Sequence, residues 1–510
     1  MRYFLSIDYG GTNTKSIIIS EIGEQIAVSS FETLAIEEKL GFREVNLQET
    51  WAAIEKSIRD VIVKSKVSVE DIAAVTCIGH GKGLYVLDKE KKEFQNGILS
   101  TDSRAIEVAR NFEAKVDKIW GKTHQHIVGV QSPVLLYWLK QNAKEVYDKI
   151  GSILSAKDYI RFKLTNTVNQ EYTDASGNHW VNLQTGKYDK EVLDFFEISE
   201  MWDSLPELVS SSDIVGNITE EVARNTGLRV GTPVVAGLFD IDACAIGSGV
   251  FDDSLFSVIA GTWNINTYPS KTFASLSSGQ MNSYFPNGTI LVEGSSPTSA
   301  GNLSIMIKAL MSEEINNLPD NVDIYTVLEE FLEHTNATFS KVLFYPFLYG
   351  NNIGQSADAC FLGLTTTTTK SEMLRAVYEG IAFAHKQHIE KLLETLGRKP
   401  NALRISGGAA NSTAWMQMFA DIINIPVEIV EGTELGGIGG AILCRQSLDQ
   451  LSLEHCISEM VRVKDRFIPS TKENEIYEIK FQTYKHSLSV LGDALDSVHK
   501  LKLELEKKSI

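Results

Sequence analysis

Two aspartates, Asp8 and Asp240, each close an apolar run and stand beside glycines. In the stretch Ile7-Asp8-Tyr9-Gly10-Gly11-Thr12-Asn13-Thr14-Lys15, the run from Arg2 to Ile7 reads as a buried strand. Gly10-Gly11 permits the positive φ of a tight turn, and Ser16 to Ser20 reads as a returning strand. Successive amides of such a turn, with the Thr12 and Thr14 hydroxyls, make a concave donor site for phosphate oxygens, and Asp8 can hold a hydrated Mg²⁺. The segment Gly237-Leu238-Phe239-Asp240-Ile241-Asp242 places two carboxylates at a strand end. One of them can accept the proton of a hydroxyl attacking a γ-phosphate, a step in which positioning outweighs intrinsic basicity. The other can cap the following helix; Asp242 is assigned the cap and Asp240 the base.

Further groups stand in loops. Gly79-His80-Gly81-Lys82-Gly83-Leu84 follows the strand ending at Ile78, and its three glycines expose a loop from which His80 and Lys82 can reach a polar ligand. In Ser100-Thr101-Asp102-Ser103-Arg104-Ala105, Asp102 and Arg104 can pair with each other or hydrogen-bond a polyol. Strand Leu403–Ser406, the turn Gly407-Gly408-Ala409-Ala410-Asn411-Ser412 and helix Thr413–Ile423 form a strand, turn and helix unit whose free N-terminal amides suit a nucleotide's ribose and phosphates. Each also has a plain structural reading: a hairpin, a surface histidine, an ion pair, a turn packing a helix on a sheet. Neither a P-loop pattern nor G-x-G-x-x-G occurs, which removes those two nucleotide folds.

The elements that must position these groups alternate between strand and helix. Ala74 to Ile78 and Val234 to Leu238 read as strands, and Trp51 to Val63 as a helix. Phe256 to Thr267 echoes the first hairpin, with Gly261-Thr262 at its turn, so two similar domains are expected to face one another across a cleft. The clearest helix starts at the capping box Thr369-x-x-Glu372 and stops at Gly397, and an amphipathic helix with a packing role closes the chain. We expect domains at 1–250, 251–468 and a helical tail at 469–510.

The 510 residues carry 48 basic and 66 acidic side chains, a net charge of −18 that disfavours nucleic acid. Five scattered cysteines read as reduced thiols, and no run of about 20 apolar residues occurs, so a soluble cytoplasmic protein with no membrane partner is expected.

These pieces, in this order, resemble the FGGY carbohydrate kinases of the actin-like ATPase superfamily, over Tyr3 to about Arg466. The run Ala359-x-Phe361-x-Gly363-Leu364, then Glu372-Met373-x-x-Ala376-Val377-Tyr378-Glu379, fits that family's C-terminal signature. Phe344 to Gly350 and Gly407-Gly408-Ala409 to Trp415-Met416-Gln417 match its flanking segments. The resemblance implies an α/β fold of two ribonuclease-H-like domains with a cleft between them, binding ATP, Mg²⁺ and a small-molecule sugar; a homodimer stays open. It implies Asp240 as the catalytic base and Asp8 near the metal. Gly11, Thr12, Asn13, Lys15, Gly261 and Thr262 would lie at the phosphates, and Gly408, Asn411 and Ser412 at the adenosine. His80, Gly81, Lys82, Asp102, Arg104 and Asp240 would meet the sugar. Ile241 stands where many relatives carry a polar residue, and Lys15 where some carry Arg. Within the family the chain looks most like the L-xylulose kinases, which phosphorylate a ketopentose at its terminal 5-hydroxyl. The neighbouring choices are kinases of D-xylulose, L-ribulose, 3-keto-L-gulonate, glycerol or autoinducer-2. A non-enzymatic actin-like ATPase module would share the two hairpins, and a sugar-sensing regulator would require a DNA-binding segment, against which the acidic charge counts.

Overall fold

A computed structural model describes residues 1–319, 322–350 and 357–508. The chain divides into two compact units. The first comprises Met1–Phe251, Pro269–Val292 and Gly432–Arg462, the second Asp252–Tyr268, Glu293–Glu431 and Val463–Ile510. Neither unit is continuous in sequence, because the segments at 269–292 and 432–462 return to the first.

The first unit is built on a six-stranded sheet. Its order is Ile214–Asn217, Pro233–Phe239, Ile72–Gly79, Tyr3–Tyr9, Asn13–Ser20, Gln25–Glu32. Tyr3–Tyr9 pairs antiparallel with Asn13–Ser20 and parallel with Ile72–Gly79, which pairs parallel with Pro233–Phe239. One face packs on helix Leu47–Ser65, capped by Asn46, whose side chain accepts from the Gln48 and Glu49 amides. Its Ile54, Ile58 and Val61 share one buried core with Leu5, Ile7, Ile18 and Val75. Strand residues alternate between faces, so Ser6 turns the other way, where its hydroxyl donates to the Gly437 carbonyl at 2.8 Å. Helix Leu435–Asp449 covers that face at unusually close range. A Cβ on Gly437 would stand 2.7 Å from Ile17 Cδ1, and one on Gly439 2.1 Å from the Ala243 carbonyl oxygen.

In the second unit, residues 293–296 of strand Thr289–Ser296, residues 264–268 of strand Asn264–Ser270, and strands Leu255–Ala260, Ala402–Ser406, Val427–Val430 and Val463–Phe467 lie side by side in that order. Helix Lys370–Leu396 begins with the expected capping box and ends at Gly397 in the left-handed region, φ 76°. Helix Thr413–Ile423 has the expected bounds. Helix Thr471–Lys508 packs Tyr477, Phe481 and Tyr484 against Phe383; the last two residues of the expected tail lie outside the described ones. Among the described residues no helix is long and apolar enough to cross a membrane. All five cysteines are free.

Candidate functional site

Parallel pairing brings the predicted chemistry of the first unit to one sheet end. Tyr9 is level with Gly79, and Gly79 with Phe239, so Asp8, His80 and Asp240 gather at the carboxyl ends of three adjacent strands. Open α/β sheets bind ligands at this end. Asp8 is half-buried, and burial with the negative charge of Glu434 pushes its carboxyl up to about 6 against the opposing pull of Lys15. Asp240 lies well above the ordinary carboxylate range, raised first by burial and then by Asp8 and Asp174. Lys82 opposes that rise; its ammonium has no ion-pair partner among the described residues. Such a perturbed cluster is a mark of functional sites.

Several expectations change. Gly10 and Gly11 do not adopt positive φ. Gly10 is required for space instead, since a Cβ there would stand 2.5 Å from the Asn13 carbonyl oxygen. Thr12 and Asn13 are exposed at the turn, but Thr14 is buried and its hydroxyl meets that of Thr33 at 3.0 Å, so it faces away from any phosphate. Lys15 is held by Glu434, Nζ to Oε2 2.6 Å. Asp242 is not a cap: helix Asp240–Gly247 has Phe239 at its N-cap with no side-chain cap bond, and Asp242 is buried inside the first turn.

His80 is no surface histidine. It is buried, its Nε2 shares a 3.0 Å hydrogen bond with the Tyr85 hydroxyl, and burial pushes its imidazole down to about 4, so it is neutral at physiological pH. Gly81 lets this loop pass the Phe239 ring, 2.2 Å from where a Cβ would be. Asp102 and Arg104 realise the ion pair rather than an open sugar contact. Asp102 accepts from Arg104 Nε and Nη2 at 3.0 and 2.8 Å and from the Arg43 amide at 2.7 Å. Arg104 also reaches Glu44 at 2.7 Å and lies over the Phe42 ring at 4.2 Å.

The second unit holds a cavity of about 690 Å³, whose lining includes Gly261, Thr262, Gly408, Asn411 and Ser412 together with Tyr325, Tyr378 and Glu329. That volume falls within the range of small-molecule and cofactor sites. The hairpin bearing Gly261 and Thr262 is braced from below. Asn264 donates to the Thr298 hydroxyl at 3.2 Å, Asn266 to Asn264 at 2.6 Å, and His385 bridges Asn266 and Ser299 at 3.1 and 2.9 Å. Burial holds the His385 imidazole well below its ordinary range, so the brace is uncharged. The N-terminal amides of helix Thr413–Ile423 are not free as expected: Glu329 accepts from the Ala414 amide at 2.7 Å and from the Ser412 hydroxyl, which itself accepts from Trp415. A carboxylate thus meets the helix N-terminus, where negative charge is favoured.

Sequence reasoning missed Glu434, Glu329 and the buried ion cluster at Lys157 and Asp174. Glu434 and Glu329 stand far in sequence from the residues they meet, and only the Gly-rich run after Glu434 marked a close approach of backbones.

Two family models together cover most of the chain. The FGGY family of carbohydrate kinases, N-terminal domain, matches residues 3–247, and its C-terminal domain matches residues 256–447. A probable L-xylulose kinase of Pasteurella multocida is 30% identical over 96% of this chain and 99% of its own length. The L-xylulose/3-keto-L-gulonate kinase of Escherichia coli is 31% identical over 96% and 97%. The crystal structure of ligand-bound xylulose kinase from Lactobacillus acidophilus superposes with a TM-score of 0.88 at 23% identity, covering 98% of this chain and 100% of that one. The architecture is thus the two-domain actin-like ATPase fold. The chain belongs to the FGGY family of carbohydrate kinases and is an ATP-dependent sugar kinase.

Proposed function

We propose that this kinase transfers the γ-phosphoryl group of ATP to the 5-hydroxyl of L-xylulose, giving L-xylulose 5-phosphate and ADP. The observation that carries the reading is the meeting of Asp8, Lys82 and Asp240 at one sheet end, with the Asp240 carboxyl raised toward proton uptake. Asp240 takes the hydroxyl proton as the sugar oxygen bonds to phosphorus and the bond to ADP breaks. Gly11, Thr12, Asn13 and Lys15 in the first unit, and Gly261 and Thr262 in the second, serve the phosphates. Gly408, Asn411 and Ser412 border the adenosine. His80, Gly81 and Lys82 form the sugar loop, and Asp102 with Arg104 supports it as a fixed ion pair.

Asp8 is the residue that would hold Mg²⁺. Its carboxyl is destabilised as an anion by burial and by Glu434, which a cation would relieve. Among the described residues no cluster of three or more protein ligands exists, which suits an ion bound through one carboxylate, water and phosphates. When bound, Mg²⁺ supplies charge neutralisation of the phosphates.

L-Xylulose is chosen because the two curated relatives above carry it in their names. A second reading, 3-keto-L-gulonate, is favoured by Lys82, whose ammonium has no ion-pair partner among the described residues and suits a sugar carboxylate. ADP release should be measured with MgATP against ketopentoses, polyols, 3-keto-L-gulonate and a no-sugar control, with the product's phosphate position read by NMR. Turnover confined to L-xylulose with phosphate on O5 supports the proposal. Preference for the acid moves the substrate to the second reading, and activity indifferent to every sugar points to an actin-like ATPase module.

A further inference from the structure

Strand Pro233–Phe239, which delivers Asp240, is irregular where it nears the site. Its register against Ile72–Gly79 shifts between Val235 and Leu238. Gly237 sits there at φ 86°, where a Cβ would fall 1.8 Å from the Cys77 carbonyl oxygen. Such a bulge re-aims the residues beyond it and leaves backbone groups outside the ladder. Here those groups are gripped from outside the sheet. The Ala236 and Gly237 amides donate to the Asp213 and Ser211 carbonyls at 2.9 and 3.0 Å. The Ala236 carbonyl accepts from Arg161 Nη1 at 2.7 Å. The Phe239 amide, one residue before Asp240, donates to the Thr173 hydroxyl at 2.9 Å.

The Thr173 hydroxyl is itself oriented. It donates to Glu171 Oε2 at 2.6 Å, which turns its lone pair toward the Phe239 amide. Glu171 also accepts from the Ser211 hydroxyl at 2.6 Å and stands 3.3 Å from Lys157 Nζ. Lys157 further meets Asp158 and Asp174, each at 2.9 Å, and Asp158 meets Arg161 at 2.7 Å. The side chains of all five ionic residues are fully buried. Buried ion clusters are poor sources of stability but hold one geometry against alternatives, and this one fastens both ends of the bulge.

We infer that Thr173 is a positioning residue for Asp240: through its 2.9 Å contact with the Phe239 amide it transmits the rigidity of the buried ion cluster to the carboxylate that takes the substrate proton. The inference rests on Asp240 being that base. A misplacement of about 1 Å can cost on the order of 100-fold in rate.

Thr173→Val, Thr173→Ser and Asp240→Asn should be compared with the native enzyme for kcat, KM for ATP and thermal unfolding, using MgATP and the sugar that turns over in the panel above. Thr173→Val keeps the shape and removes the acceptor; kcat is expected to fall at least 10-fold with KM for ATP within about twofold. Thr173→Ser restores the hydroxyl and should recover kcat to within about threefold. If Thr173→Val does not fold, Thr173→Cys, a weaker acceptor, should still fall below Thr173→Ser. A folded Thr173→Val with native kcat, or equal losses in Val and Ser, overturns the inference. Native turnover by Asp240→Asn overturns the base assignment instead, so the two failures are distinguishable.

Discussion

Lys15 Nζ and Glu434 Oε2 stand 2.6 Å apart beside Asp8, in a pair whose side chains are only 30% and 17% exposed. The cation proposed to meet ATP phosphate is therefore already engaged, and binding must draw it from Glu434 or share it. Glu434→Gln should lower KM for ATP about two- to fivefold, because a charge-assisted bond is replaced by a weaker neutral one. Lys15→Met should raise KM about 10-fold. Initial rates against ATP concentration decide, and an unchanged KM in Lys15→Met removes Lys15 from the phosphate site.

The Asp240 carboxyl should give the reaction an acid limb. As a base it must be ionised, and burial with Asp8 and Asp174 raises it while Lys82 lowers it. The sign is that kcat/KM rises with pH through the folded-state value, displaced above the range of an ordinary aspartate. Asp240→Asn should abolish the limb together with at least about 10³-fold of kcat. A pH profile flat down to about 4 contradicts the assignment.

Asp8 carries a stability cost that changes with pH. Below about 4 it is protonated in both folded and unfolded chains. As pH rises toward about 6 the unfolded carboxyl ionises while the folded one keeps its proton, so stability falls, and above about 6 the full cost remains. The difference from an ordinary aspartate corresponds to roughly 3 kcal/mol. Asp8→Asn should therefore raise Tm by several degrees at pH 8 and leave it unchanged near pH 4, while destroying activity. Thermal unfolding at the two pH values checks this, and equal Tm shifts at both would refute it.

Local signals in the sequence were dependable where one segment decided the outcome. The capping box at Thr369 and Glu372, the stop at Gly397 and the helix Thr413–Ile423 all stand as read. The hairpin was legible as a hairpin, but not which hydroxyls it presents. Alternation along the strand turns Thr14 into the core against Thr33, which lies just past the end of the neighbouring strand Gln25–Glu32. Likewise Lys15 meets Glu434 from 419 residues away, and Ser412 meets Glu329 from 83. Tertiary packing sets those partners, and no local pattern encodes it. His80 shows the same limit: three glycines suggested an exposed loop, whereas they serve close packing, Gly79 on Lys157, Gly81 on the Phe239 ring and Gly83 on the Ile98 carbonyl.

Glu329 caps helix Thr413–Ile423 in place of a ligand, so its removal should be felt without any nucleotide. Glu329→Ala takes the acceptor from the Ala414 amide and the Ser412 hydroxyl and should destabilise the protein by about 1–2 kcal/mol. Urea unfolding in the absence of nucleotide measures it. Stability within about 0.3 kcal/mol of native would mean that water or the Ser412 hydroxyl alone satisfies the helix end.

Gly408 offers the cleanest probe of the cavity in the second unit. Its φ is not positive, and a Cβ built there meets no atom within 4 Å, so nothing in the fold forbids alanine. Gly408 is exposed and lines the cavity with Asn411 and Ser412, so the methyl is added at the cavity's edge. Gly408→Ala should keep native Tm within about 1 °C, since surface changes that create no clash are near neutral. KM for ATP should rise about three- to 10-fold with KM for the sugar unchanged, because the methyl displaces only the nucleoside. Gly301, which lines the same cavity, gives the contrast, as its Cβ would stand 3.1 Å from Thr262 Cγ2 and press on Thr262 at the hairpin. If Gly408→Ala leaves KM for ATP untouched, the nucleoside does not lie in this cavity, and a binding assay with ADP on the same variant would show the same indifference.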